Sequence, residues 1–362
     1  MAYPFSRRDF FRGTVLAAGV AALGAKAQSP APKIAGFDET DAGKLKNAVW
    51  KPVSDRKIKV GIAGYGVCKF GAQFGFQSHP NVEVVAVTDL FPERCAELAK
   101  LTGAKKTYAS CEEMFGKDKE IEAVFIATDA PSHVELCLKG LKRGLHMASA
   151  VPAVFGQDQL ALADELLATV KQTGMLYAMF ETTAFRPQCY AMREIYKAGG
   201  FGKLIYTEGE YYHYMDRHIG SYKDWRVGLP PQYYPTHSNA FYTCVTGGSF
   251  TEVSCLAMPS LLANNQPGKN RYNNPFATEV ALFRTSEGGM ARMAVSWDMP
   301  GAHGEKGRVY GQKGSFEECY SGQADASKVA QEKPPLPPKV DAGGHGGSHG
   351  YLTDDFITAI LT

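Results

Sequence analysis

Lys57-Ile-Lys-Val-Gly-Ile-Ala-Gly-Tyr-Gly-Val-Cys-Lys-Phe70, followed by Val82-Glu-Val-Val-Ala-Val-Thr-Asp89, decides the fold of this chain. The first run reads as a short buried strand, a turn at Gly64-Tyr65-Gly66, and a helix whose apolar face is Val67, Phe70 and Phe74. The second reads as a strand ending in an acid roughly 20 residues beyond the turn, the spacing of a dinucleotide site. Pyrophosphate reaches a backbone only where Cβ atoms are absent, and the start of a helix offers it unpaired N–H groups. Gly64, Tyr65, Gly66 and Val67 are therefore cofactor-binding candidates. Asp89 would take both hydroxyls of an adenosine ribose and repel a 2′-phosphate, which favours NAD over NADP. Lys69 stands where a third glycine would serve close helix-to-strand packing, so a displaced helix or an outward-reaching lysine is expected. The competing reading is a glycine turn in some other α/β fold.

From Ile58 onward, strand-like and helix-like runs alternate. A helix over 92–101 begins with a proline, favourable in a first turn, and stops at Gly103. A strand over 123–128 follows, then Ser132-His-Val-Glu135, which reads as a capping box for a helix ending near Gly144. A strand over 145–151, a helix over 158–172 and a strand over 175–180 complete a pattern that implies a parallel sheet covered on both faces. After Arg186 the rhythm changes to one helix over 187–197 and long strand-like runs over 203–214, 252–258, 278–285 and 290–297. Residues 211–237 form an aromatic and histidine-rich loop, and 331–350, rich in proline and then glycine, read as a flexible surface loop. The expected class is α/β: an N-terminal Rossmann parallel sheet plus a C-terminal α+β domain with a mostly antiparallel open sheet. The expected boundaries are a nucleotide-binding domain over 57–184 and a substrate-binding domain over 185–362, after a linker over 28–56.

At 362 residues the chain can bury a large core, and its 44% apolar and 21% charged content is ordinary for a globular protein. Residues 1–27 carry Arg7, Arg8, Arg12 and Lys26 against Asp9, so the formal charge of +2 leaves the remainder slightly negative and nothing favours nucleic acid. The paired arginines, the apolar run 14–23 and Ala25-Lys26-Ala27 read as a twin-arginine signal cleaved before Gln28, with export of a folded protein to the periplasm and no membrane span left after cleavage. A retained anchor is the alternative, although the apolar run is short for a bilayer. The eight cysteines are scattered, with no zinc spacing, so no metal site is expected and most cysteines are expected to be buried.

Taken together, Gly61-x-x-Gly64-x-Gly66, Asp89 with Arg94, Ile126-Ala-Thr128-x-x-Pro131-x-His133 and Arg308-x-x-Gly311-x-x-Gly314 resemble the Gfo/Idh/MocA oxidoreductases. The resemblance implies an NAD-type Rossmann domain with Thr128, Pro131 and His133 near the cofactor, a sugar site on the second domain, and a homo-oligomer. It also implies a Glu-Lys-Pro triplet whose lysine aids proton transfer, where this chain has Ala150-Val151-Pro152. A secondary alcohol still needs a base within hydrogen-bond reach, and valine is none. A subgroup, the NAD-dependent glycosidases of the α-N-acetylgalactosaminidase type, resembles this chain at Val151-Pro152, at Tyr234-Pro-Thr-His237, and at Glu181-x-x-x-Phe185 and Tyr212-His213. In that subgroup NAD transiently oxidises a sugar hydroxyl, the aglycone is eliminated, and the cofactor is recycled.

The catalytic candidates are therefore His237, Tyr234, His213 and Glu181. An imidazole changes charge near neutral pH, so His237 suits proton transfer, with a packed residue beneath the sheet as the alternative. Tyr234 would relay a proton or bind a sugar hydroxyl, or else belong to an aromatic core. Trp225 and Arg226 are substrate-binding candidates, as a stacking ring and a hydroxyl ligand, or else form a surface cation–π pair. His345 and His349 either close over the pocket or are solvated. The expected activity is NAD-dependent hydride transfer at a hydroxyl-bearing carbon of a carbohydrate. The alternatives are net glycoside hydrolysis or elimination by the same shuttle, and a silent sugar-binding module.

Overall fold

The computed structural model describes residues 48–217 and 219–362. The expected signal over 1–27 and most of the linker over 28–56 lie outside the described residues. Among the described residues no helix is long and apolar enough to cross a membrane.

The first sheet is parallel throughout. Its strands are β1 (Ile58–Ala63), β2 (Val82–Thr88), β3 (Lys106–Tyr108), β4 (Ala123–Ile126), β5 (His146–Ser149) and β6 (Tyr177–Met179), in the order β3-β2-β1-β4-β5-β6. That order reverses direction at β1 and β4, and ligands of such sheets bind at the carboxyl ends of the strands beside the reversal. The near-continuous burial of β1 and β4 explains their apolar sequences, because strands covered on both faces have no solvent side to alternate with. One face is covered by α1 (Phe70–Gln73) and α2 (Pro92–Thr102), the other by α3 (Cys111–Lys117), α4 (His133–Lys142) and α5 (Leu160–Thr173).

Two local expectations differ from the structure. The helix after the glycine turn is only four residues long, and Val67 is exposed rather than on its inner face. The capping box at Ser132 does not form, because residues 130–132 already coil as a 3-10 turn running into α4. Ser132 then sits at φ −95°, ψ −11°, and its hydroxyl bonds Asp129 instead of a helical N–H.

The second sheet has the order β13-β12-β11-β7-β10-β9-β8. Its strands are β7 (Leu204–His213), β8 (Phe250–Pro259), β9 (Phe276–Thr285), β10 (Met290–Ser296), β11 (His303–Gly311), β12 (Gly314–Phe316) and β13 (Tyr320–Gly322), all antiparallel to their neighbours except β7 and β10. Helices α6 (Pro187–Lys197) and α7 (Thr236–Thr246) cover one face, and the other is open, with Leu256 and Leu282 exposed. Gly209 of β7 and Gly307 of β11 are paired across the sheet. A methyl on the first would collide with the Ser238 carbonyl and one on the second with Phe241, so the two glycines make a bare patch into which α7 drops.

The last helix, α8 (His349–Leu361), returns to the first sheet, where Leu352, Phe356 and Ile357 join its core. His349 is buried, stacked on Phe74 with ring centroids 4.2 Å apart, and is no mobile loop residue. The cysteines divide between interior and surface: Cys95, Cys111, Cys137 and Cys189 are buried, Cys68 and Cys244 are half-buried, and Cys255 and Cys319 are exposed.

Candidate functional site

A cleft of about 490 Å³ opens at the carboxyl ends of β1, β2 and β4, where the strand order reverses. Six of the residues expected there from the sequence line it: Gly64, Gly66, Val67, Asp89, Thr128 and His133. Tyr65 and Pro131 do not. Tyr65 turns its ring into the core and offers only its N–H to Asp89, and Pro131 lies behind the wall with its carbonyl bonded to Gln159.

The glycines have different jobs. Gly64 has φ +98°, and a Cβ there would strike the Ala127 carbonyl, so the fold itself demands a glycine. Around Gly66 a Cβ would meet no atom within 4 Å, so the chain's own packing requires no glycine; its bare backbone faces the cleft, as pyrophosphate approach needs. Close helix-to-strand packing falls to Gly71, where a methyl would hit the Gly64 carbonyl and crowd Ile62 and Leu98. That releases position 69. Lys69 adopts a left-handed backbone with φ 51°, and its ammonium reaches out to Glu97 at 3.4 Å. The Asp89 carboxylate is fixed by the N–H groups of Tyr65 at 2.6 Å and Phe91 at 2.9 Å. A carboxylate accepts about four hydrogen bonds, so about two positions remain for ribose hydroxyls. These residues fit an NAD-type dinucleotide.

The opposite wall comes from the second half of the chain and includes Tyr222, Trp225, Arg226 and Tyr234. Arg226 lies over the Trp225 ring at 4.2 Å, and Trp225 is buried in an aromatic cluster with Tyr234 and Phe155. Trp225 therefore props Arg226 and Tyr234 at the wall. Ala150 and Val151 line the cleft as well, so the position of the lysine in Glu-Lys-Pro is apolar in space as in sequence.

A buried acid–base pair lies just behind Tyr234. His237, in the first turn of α7, is 5% exposed, and its Nδ1 lies 2.7 Å from Oε1 of Glu181, which is 4% exposed. Burial alone lowers the histidine's pKa, but the charge and hydrogen bond of Glu181 outweigh it and the net value is raised. Burial likewise raises Glu181, and His237 pulls it below the usual carboxylate value. Both shifts describe a buried ion pair. Oε2 of Glu181 is buried without a hydrogen-bond partner among the described residues. The Tyr234 and His237 rings are 5.6 Å apart, and burial pushes the Tyr234 hydroxyl up to about 12, so it stays protonated at neutral pH. His213, at the end of β7, is set apart: its ring contacts Tyr211 and His303, and burial lowers its pKa. His133 is buried within the cleft wall, held by the carbonyls of Pro152 at 2.9 Å and Thr128 at 3.3 Å.

Three residues around His237 escape a reading of the sequence. Thr183 Oγ1 lies 3.3 Å from Nδ1, Glu305 of β11 accepts from Thr183, and Arg186 clasps both Glu305 oxygens. Ligand atoms of Glu181, His237 and Glu305 lie within 4.8 Å of one another, but the countercharge on Glu305 is the Arg186 guanidinium. Only a strand reading of residues 303–311 could have brought Glu305 into view. Three glycines and three charged side chains in nine residues mask that strand.

A bare-backbone cleft at the reversal of a parallel sheet, walled by a mixed second sheet, defines a two-part dinucleotide-dependent oxidoreductase architecture. Residues 58–180 match the Gfo/Idh/MocA family model, described as "Oxidoreductase family, NAD-binding Rossmann fold". Among curated proteins the chain is 31% identical over 184 residues to "Glycosyl hydrolase family 109 protein 1" of Bacteroides fragilis, a match covering 47% of this chain and 38% of that protein. It thus spans about two fifths of the first relatives it matches. A longer match, 25% identical over 355 residues, covers 86% of this chain and 73% of "Glycosyl hydrolase family 109 protein 2" of Akkermansia muciniphila. In fold it is similar to scyllo-inositol dehydrogenase of Lactobacillus casei, with a TM-score of 0.65, 14% identity, and coverage of 85% of this chain and 89% of the other.

Proposed function

We propose that the chain is an NAD-dependent enzyme acting on a carbohydrate by hydride transfer at a hydroxyl-bearing carbon, with NAD preferred over NADP. The observation that carries this reading is the cleft shared by Gly66, Asp89 and Tyr234, with the His237 ring of the Glu181–His237 pair 5.6 Å from that of Tyr234. The turn at Gly64 to Gly66 would hold the pyrophosphate, Asp89 the adenosine ribose, and Thr128 and His133 the nicotinamide side. When bound, NAD supplies a reversible hydride acceptor. Loss of a hydride from a secondary alcohol leaves a carbonyl only if the hydroxyl proton reaches a base. In this reading neutral His237, the form present above its raised midpoint, is that base, and the imidazolium beside Glu181 is the form that proton uptake leaves. Glu181 holds Nδ1, so Nε2 exchanges the proton, and the protonated Tyr234 hydroxyl donates to a substrate oxygen.

A second reading is net glycoside hydrolysis with the hydride returned at the end. It is supported by Val151 in the cleft wall, by the Tyr-Pro-Thr-His run, and by the names of the curated relatives, while Ala150 departs from the acid that the subgroup carries before Val-Pro. One experiment tests both: purified protein with NAD is offered free sugars and nitrophenyl glycosides. NADH accumulating on free sugars supports the first reading, aglycone release without net NADH the second, and binding without turnover rejects both. In either case His237→Ala loses about 10²- to 10⁴-fold in kcat while retaining NAD. A fully active variant removes His237 from the mechanism.

A further inference from the structure

We infer that Glu305 is a positioning residue for His237, acting through the hydroxyl of Thr183 and held in place by Arg186. The inference rests on the reading of His237 as the proton-transfer group and adds what decides which of its nitrogens does the work.

The argument is one of donors and acceptors. A threonine hydroxyl has one hydrogen. Thr183 gives it to Glu305, an acceptor only, so the oxygen facing His237 Nδ1 at 3.3 Å presents a lone pair. The other neighbour of Nδ1, Glu181 Oε1, also accepts. With acceptors on both sides, Nδ1 keeps its hydrogen in either charge state, and Nε2 is the nitrogen that gains and loses a proton. Without Glu305 the Thr183 hydrogen is free to turn towards Nδ1 and compete with Glu181 for it. Thr183 also ties the arrangement together through its backbone, whose N–H donates to the same Glu181 oxygen at 2.8 Å.

Glu305 suits this task because it is confined. Its side chain is 3% exposed, it lies opposite Tyr211 in the β7–β11 ladder, and Arg186 Nη2 donates to its Oε1 at 2.6 Å while Nε serves Oε2. Such a fork fixes the orientation of the carboxylate. The groups facing His237 from the surrounding elements are Glu181, Thr183 and Arg186 from the turn after β6, Tyr211 from β7, Tyr234 from before α7, Glu305 from β11, and His345 from the segment before α8. Glu181 and Glu305 favour the imidazolium; Arg186 and a protonated His345 oppose it.

The test reads the imidazole directly and needs no substrate. Full-length protein carrying nitrogen-15 histidine is titrated by NMR, with His237 identified by the signal lost in His237→Gln. The expected wild-type spectrum has the neutral ring protonated on Nδ1. Glu305→Gln should move the His237 midpoint to lower pH, Thr183→Val should move it the same way by less, and Thr183→Ser should restore it. A folded Glu305→Gln protein with the wild-type midpoint overturns the proposal, as does a Thr183→Ser variant behaving like Thr183→Val. If Glu305→Gln does not fold, an unmoved midpoint in Thr183→Val overturns it equally. A structural or purely electrostatic role for the Arg186–Glu305 pair would leave the midpoint unmoved in Thr183→Val, and that result overturns the relay through Thr183. The role of His237 itself is judged separately, by turnover in His237→Ala, so the two readings fail independently.

Discussion

Gly64 and Gly66 look alike in the sequence and differ in what makes each a glycine. For Gly64 the cause is internal, a left-handed backbone pressed against Ala127; for Gly66 it is the open space where a ligand would come. Gly64→Ala should therefore destabilise the fold by about 1–3 kcal/mol through strain and overpacking. Gly66→Ala should leave the melting temperature unchanged and weaken NAD binding about tenfold or more, equal to about 1.4 kcal/mol. Calorimetric titration with a thermal melt on each variant separates the two; NAD affinity untouched in Gly66→Ala would take the pyrophosphate away from this turn. Gly71 was not legible, because the fingerprint spacing points to position 69 and the helix begins only at Phe70. The acid Asp89 was legible, because its distance from the turn follows from the length of one strand–helix–strand unit.

At the level of elements, α7 matters most and reads least clearly. Its buried residues include His237, Ser238, Ala240, Phe241, Tyr242, Val245 and Thr246, so polar residues on the buried side blur its contrast with the half-buried Thr236, Asn239 and Thr243. It is seated by the paired glycines of β7 and β11 as well as by Phe241, Tyr242 and Val245. Gly209→Ala should push α7 off the sheet at Ser238, next to His237, and cost about 1–3 kcal/mol or more. Activity should fall with it. Urea unfolding checks the first effect, and a variant as stable as the wild type would show that α7 does not depend on this seat. β11 was illegible for the related reason that Gly307 serves contact with α7 and Gly311 the close approach of Phe201, while Arg308 reaches Glu208 of β7 at 2.6 Å.

The stability of the whole molecule should carry the signature of the buried pair. Glu181 lies below its ordinary value of 4.5 in the fold, so its contribution is complete above pH 4.5 and is lost as pH falls through the lowered value. His237 lies above its ordinary 6.5, so its contribution is complete below pH 6.5 and is lost as pH rises through the raised value. Wild type and a Glu181→Gln/His237→Gln double variant should therefore differ most between pH 4.5 and 6.5, and less towards alkaline pH. The difference is the right readout, because His349, lowered by burial to about 4, separately weakens the fold as pH drops below 6.5. A stability difference that does not vary with pH would mean that the pair is not ionised. The sequence by itself determined the parallel sheet, its glycine turn and its acid, because strand and helix periodicity and the lack of a Cβ are properties of neighbouring residues. Only the tertiary structure decided what surrounds His237. Glu181 reaches it across 56 residues and Glu305 reaches Thr183 across 122, and such pairings are set by strand register and by the seat of α7, which no local run of residues encodes.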